Sequence, residues 1–134
     1  MNHLNRAADM VVAYLAAMEK RDLNAARSFV NEVELELVFP GNRKFSSLDA
    51  VVTNSSGRYR KIGKRISERE AWDSNGGVRV MITGTLYGEW PDGTPFEGIR
   101  FVDWFELRDG KIARQHVWND SGEELLSRLK EAKQ

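Results

Sequence analysis

Apolar residues recur along this chain with two periods, and the change from one to the other divides it. From Leu4 to Lys20 the positions Leu4, Ala7, Ala8, Val11, Val12, Tyr14, Leu15 and Met18 return every third or fourth residue, the pattern of an amphipathic helix. Tyr14 lies on or beside its apolar face. Asp22 stands where an N-cap belongs, ahead of a second short helix, Leu23 to Val30, whose stripe is Leu23, Ala26, Phe29 and Val30. The period then falls to two. Val33, Leu35 and Leu37 alternate with Glu34, Glu36 and Val38, which predicts a strand after Asn31 that closes at Phe39, where Pro40-Gly41 forces a turn. Asn42 to Ser47 reads as loop. Ser47 can cap a third helix through Leu48, Val51, Val52 and Tyr59, although Asn54, Ser55, Ser56 and Gly57 are poor helix formers. Lys61 to Arg65 reads as a flexible basic segment, and a short run of this kind is expected to be a solvated face.

The second half of the chain is dominated by alternation. Ile66 to Asp73 leads into Ser74-Asn75-Gly76-Gly77, a strong hairpin turn because these residues tolerate positive φ. Val78 to Trp90 is apolar on both parities, as a central strand would be. After the turn Pro91-Asp92-Gly93-Thr94, two long strands joined at Arg108-Asp109-Gly110-Lys111 run from Phe96 to Asp120. In the first of them Ile99, Phe101, Asp103, Phe105 and Leu107 share one face of the sheet. One carboxylate therefore interrupts an apolar face. Ser121 caps a terminal helix, Glu123 to Lys130, with Glu124 completing a capping box and Leu125, Leu126 and Leu129 as its stripe.

This order, with helices early and hairpin-connected strands late, predicts an α+β fold in which a curved antiparallel sheet wraps over three N-terminal helices and a fourth helix follows. A sheet bent over helices leaves a conical cavity between them. Residues 1–134 fit one domain by length, and such a domain buries roughly two-thirds of its unfolded surface.

Charge and composition then exclude several functions. Twenty basic and twenty acidic residues leave no net charge, so the field that draws proteins to nucleic acids or anionic membranes is absent. With no cysteine, thiolate chemistry and thiolate metal sites are impossible. No apolar run approaches the ~18 residues of a membrane span, and Met1 to Asn5 lacks the form of a signal peptide, so a cytoplasmic protein is expected. His3, Asp9 and the scattered carboxylates form no spaced metal set, and no cofactor is expected.

Candidate chemistry centres on Asp103. One reading makes it a hydrogen-bond donor or acid in a cavity; the other makes it a carboxylate satisfied by a neighbour such as Arg100. Tyr14 carries the same ambiguity, since a helix tyrosine commonly buries its ring and bonds any nearby acceptor. His116 is the only histidine beyond the extreme N-terminus, but its parity is opposite to that of Gln115, Val117 and Asn119 and turns it toward the convex side. Those three residues, with Phe39, Phe101, Phe105 and one face of Val78 to Trp90, describe an apolar cup with a few fixed polar groups. Trp72, Trp90, Trp104 and Trp118 could stack on a ligand or anchor an interface. The phase of Trp104 and Trp118 suits the interface.

Tyr14-Leu15-Ala16-Ala17-Met18, then Asp22-Leu23, Ala26 and Phe29, a strand to Pro40-Gly41, and Val102 to Ile112 together resemble the NTF2-like superfamily, with SnoaL-like polyketide cyclases and ketosteroid-isomerase-like proteins as the nearest relatives. The resemblance covers nearly the whole chain and implies a cone-shaped fold, a homodimer and a pocket for a small molecule. It places Tyr14 and Asp103 where ketosteroid isomerases hold two hydrogen-bond donors to a developing oxyanion, one of them a carboxylic acid kept neutral by its apolar site. The proton-moving aspartate of those isomerases is replaced by Phe39. The cyclase acid, seven residues after Gly110, is replaced by Val117. The expectation is therefore a pocket for a small hydrophobic, cyclic carbonyl compound. Asp103 and Tyr14 would be its donors, His116 the base only if the strand register shifts, and non-catalytic binding or dimerisation the alternative.

Overall fold

The computed structural model describes residues 2–133 and contains four helices and six strands within them. Helix α1 (His3–Glu19) starts at Asn2, whose side chain accepts from the Asn5 amide at 2.8 Å, and buries Ala7, Ala8, Val11, Tyr14, Leu15 and Ala17. Asp22 and Ser47 cap α2 (Leu23–Arg27) and α3 (Leu48–Arg58) through the amides of Ala25 and Ala50. Helix α2 is shorter than its apolar spacing predicts. Its continuation peels away at Phe29 and Val30, whose backbone instead lies beside Ile112.

Six strands, β1 (Glu36–Phe39), β2 (Arg43–Phe45), β3 (Lys61–Ser74), β4 (Gly77–Glu89), β5 (Pro95–Arg108) and β6 (Lys111–Asn119), form one sheet in the order β2-β1-β6-β5-β4-β3. Three features correct the expectations. The sheet is not wholly antiparallel, because β1 pairs with β6 in parallel. Residues 43–45, read as loop, fold back on β1 as β2. The first strand begins only at Glu36, with Val33 left 93% exposed in a turn.

The most consequential correction concerns the basic segment. Lys61 to Arg65 is the first third of β3, paired with β4 from Lys61↔Glu89 onward. Bulges between Ile66 and Glu68, Leu86 and Gly88, and Glu106 and Leu107 increase the local twist of the long strands and wrap them around α1. Gly84 permits the tight pairing of β4 with β3, since a Cβ there would stand 2.0 Å from the Arg65 carbonyl oxygen. The β5–β6 turn is the two residues Asp109 and Gly110, both at positive φ (50° and 74°), as a tight right-twisted hairpin requires.

The core lies between α1 and the inner face of the sheet, where Val11, Tyr14, Leu37, Ile82, Leu86, Phe101 and Phe105 are almost wholly removed from water. Helix α4 (Ser121–Lys133) begins two residues before its expected start, and the Glu124 amide bonds to the Asp120 carbonyl. Its leucine stripe stays about half exposed at Leu125, Leu126 and Leu129. No helix among the described residues is long and apolar enough to cross a membrane.

Candidate functional site

Alternation along β5 and β6 brings the site together. Asp103 lies opposite Ile82 on one side and Val117 on the other, Phe105 opposite Gln115, and Phe101 opposite Asn119, so all of these point to the inner face. No register shift intervenes between Phe101 and Glu106. Trp104 and His116 are therefore paired on the outer face, their rings 5.1 Å apart. His116 bonds Glu36 Oε2 at 3.1 Å and does not reach the cavity, so the condition for its use as a base is not met.

A cavity of about 200 Å³ opens between α1, α3 and this inner face. Phe39, Phe101, Gln115, Val117 and Asn119 line it as expected, joined by Tyr14. Phe105 does not. It packs edge-on against the Tyr14 ring, with centroids 6.1 Å apart, and so supports the wall from behind. Trp90 is likewise occupied, stacked on Tyr59 and tilted against Phe96.

Asp103 is engaged by a cation. Its side chain is completely buried, sits behind the cavity surface, and receives the Lys64 ammonium at Oδ2. Asp103 is thus the acceptor of an ion pair, as in the reading that has it satisfied by a neighbour, with Lys64 as that neighbour. Arg100, its other anticipated partner, pairs with Asp120 outside. Lys64 itself lines the cavity, its side chain 23% exposed and its Nζ 5.0 Å from the centre of the Phe101 ring. This ammonium therefore belongs to two environments: a buried carboxylate fixes it, and a cavity receives it.

Tyr14 joins the same constellation through Gln115. The tyrosine hydroxyl donates to Gln115 Oε1 at 3.1 Å, and Gln115 Nε2 makes a long contact of 3.5 Å to Asp103 Oδ2. Burial, reinforced by the nearby Asp103 charge, raises the Tyr14 phenol well above its ordinary value, so it remains a neutral donor. Asp103 Oδ1 has no hydrogen-bond partner among the described residues, which leaves this buried carboxylate half satisfied. The structure thus brings Asp103, Tyr14 and Gln115 into one hydrogen-bonded group and adds Lys64 to it.

Two participants were missed. Lys64 shares parity with Ile62 and Ile66, so it is a polar intrusion in an alternating stretch, as Asp103 is in β5; reading 61–65 as a flexible, solvated basic segment concealed it. Glu19, at the end of α1, is the one carboxylate lining the cavity among the described residues. Its Oε1 accepts from the Lys64 amide at 2.9 Å and lies 3.4 Å from the Tyr87 hydroxyl. No group of three or more His, Cys, Asp or Glu residues among the described residues is arranged to hold a metal ion.

The fold has many solved counterparts. An NTF2-like protein from Burkholderia pseudomallei superposes with a TM-score of 0.73 at 15% identity, over 89% of this chain and 94% of that one. TerC, crystallised with polyporic acid, gives 0.72 at 19% identity over 87% and 93%. A protein named as a SnoaL-like polyketide cyclase from Jannaschia sp. CCS1 gives 0.71 at 12% identity over 96% and 93%. At these identities the likeness concerns the fold. No curated protein matches the sequence. The model of the SnoaL-like domain matches residues 11–115, from the middle of α1 to the strand that carries Gln115, and on that match the chain belongs to the SnoaL-like family.

Proposed function

We propose that the chain binds a small, mainly apolar, cyclic carbonyl compound in the cavity, and that Lys64 is the donor to its oxygen. The placement of Lys64 carries this reading: an ammonium on a largely apolar wall, anchored by a carboxylate that water does not reach. One N–H is committed to Asp103, and the others can serve an acceptor inside the cavity. Tyr14 acts through Gln115, holding its amide in one orientation. Relatives of the same fold named as polyketide cyclases, and TerC with polyporic acid, support a cyclic ligand.

Glu19 favours a catalytic form of this reading. Glu19 lines the cavity and only its Oε1 has a hydrogen-bond partner among the described residues, so the carboxylate can remove a proton from the carbon beside the carbonyl while Lys64 stabilises the enolate oxygen. The enolate carbon then attacks a second carbonyl of the same molecule and closes a ring, or regains the proton at another position. The first outcome is cyclisation and the second isomerisation. Both return the proton and neither needs an oxidant.

Calorimetric titration with acetonaphthone, a compact neutral ketone, tests the binding step. Lys64→Met is expected to abolish the interaction in a protein that still melts cooperatively, and unchanged affinity would sink the reading. With a substrate in hand, Glu19→Gln should retain binding and lose turnover; full turnover would remove Glu19 as the base. The proposed assembly is a homodimer through the outer face of the sheet, where Trp118 is 56% exposed beside His116. A monomer by gel filtration at micromolar concentration would count against it.

A further inference from the structure

Twelve of the thirteen arginines fall into two groups. Nine of them, Arg27, Arg60, Arg65, Arg69, Arg79, Arg100, Arg108, Arg114 and Arg128, each reach a carboxylate. Arg21, Arg43 and Arg58 reach none among the described residues, and all three line the cavity. Arg43 donates through Nε to the Pro40 carbonyl at 2.8 Å and through Nη1 to Asn54 Oδ1 at 2.6 Å. Arg21 donates to the Met18 carbonyl at 2.7 Å and to Ser55 Oγ at 3.2 Å. Arg58 makes no hydrogen bond or ion pair among the described residues. Neutral acceptors hold two of the guanidinium groups in place without cancelling their charge.

Gathering these charges is unfavourable in the absence of an anion. Burial and the charge of Arg58 both depress the Arg43 guanidinium, the direction expected for two cations that repel each other at a partly desolvated site. Position in the last turn of α3 suits Arg58 to the helix dipole, but the dipole does not account for a side chain turned to a wall that Arg21 and Arg43 also occupy. Against three arginines and the already paired Lys64, the lining offers only Glu19. A protein with no net charge has thus gathered at one cavity three arginines, Arg21 and Arg58 exposed and Arg43 partly buried, against a single carboxylate.

We propose that the ligand of this cavity is an organic anion, a ring bearing a carboxylate or an equivalently delocalised two-oxygen acid, whose anionic end docks against Arg43, Arg58 and Arg21 while its apolar body reaches toward Phe101 and Lys64. The planar guanidinium fork matches such a group, which accepts two parallel hydrogen bonds where a simple ketone accepts at one oxygen. This inference rests on reading the cavity as a ligand site and adds the charge of the ligand to it.

The test compares naphthoate with acetonaphthone, an anion and a neutral ketone of nearly the same shape, by calorimetric titration at low and high salt. Naphthoate is expected to bind about tenfold or more tightly, as charge-assisted hydrogen bonds would give, and its advantage should shrink as salt rises. Arg58→Met should reduce the advantage without affecting the fold, because that side chain holds no other element. Arg43→Met should remove most of it, and Arg100→Met, on the outer face, should leave it intact. Equal affinities in the wild-type protein would overturn the anion inference while the cavity remains a ligand site. If neither compound binds, the inference and the reading of the cavity fail together.

Discussion

Strand β5 carries two buried carboxylates three residues apart, and they meet opposite fates on the two faces of the sheet. Glu106, on the outer face, is 5% exposed and saturated: Arg79 reaches Oε1 at 2.9 Å, Arg108 reaches Oε2 at 2.7 Å, and Arg114 stands 3.7 Å from Oε2. The Trp104 ring lies 4.9 Å from the Arg79 guanidinium and 5.1 Å from that of Arg114, closing the cluster with cation–π contacts. Asp103, on the inner face, is fully buried with one lysine and, among the described residues, one oxygen without a partner. A carboxylate surrounded by more donors than it needs stabilises a fold. A carboxylate with only one cationic partner, whose own ammonium faces a cavity, instead fixes the position of a group that remains available to a ligand.

Breaking the inner pair is expected to have the largest effect. Lys64→Met leaves the buried Asp103 carboxyl without its cationic partner, at a cost of about 3–5 kcal/mol in a denaturant melt. Removing both charges in Lys64→Met/Asp103→Leu should restore most of that stability while ligand affinity stays lost. Failure of the double variant to recover would mean that the pair is structural, like Glu106, and would erase the distinction. Glu106→Gln comes next, at about 1–3 kcal/mol, because the three arginines remain between 26% and 48% exposed and can rehydrate. Affinity for a cavity ligand should not change in Glu106→Gln.

Tyr14→Phe is smaller again, about 1 kcal/mol, since it removes one hydrogen bond and leaves Gln115 Oε1 without its donor. It also carries a pH signature. The Tyr14 phenol is raised in the folded state, so its contribution is complete below the ordinary tyrosine value of about 10 and is lost as pH rises above it. Melts across that range should show the wild-type protein losing stability relative to Tyr14→Phe, and parallel curves would contradict the burial of the hydroxyl. Glu36 gives the slightest effect. Hydrogen bonds from His116 and then Arg114 hold it below the usual carboxylate range, so its contribution is present above the unfolded value and lost as pH falls through the folded one. Because the side chain is 44% exposed, Glu36→Gln should flatten only a shallow acid limb of the stability curve.

Much of the fold was legible because alternation and helical spacing are local properties. The caps at Asp22 and Ser47, the turns at Gly76 and Gly110, and the inward parity of Phe101, Asp103, Gln115 and Val117 required only neighbours in sequence. The stripe of α4 misled, since helical spacing shows an apolar face without showing what covers it. The segment at 43–45 misled in another way. Only the presence of β1 beside it makes three residues a strand.

The same division separates what the chain specified alone from what folding added. Period and parity marked Asp103 as a carboxylate in an apolar face and put Tyr14 on or beside the apolar face of its helix, because each depends on residues within one element; only the family resemblance suggested that the two belong together. The cationic partner of Asp103 could not be read that way. Lys64 lies 39 residues from Asp103, on the far side of β4, and becomes its partner only when bulges bend the sheet and two long strands converge over α1. Arg21, Arg43 and Arg58 come from a helix end, a short edge strand and another helix end, and nothing in their sequence spacing foretells one wall. Charge acts through space rather than along the chain, so the polar character of this cavity emerges only from the packing of elements whose apolar faces were already readable.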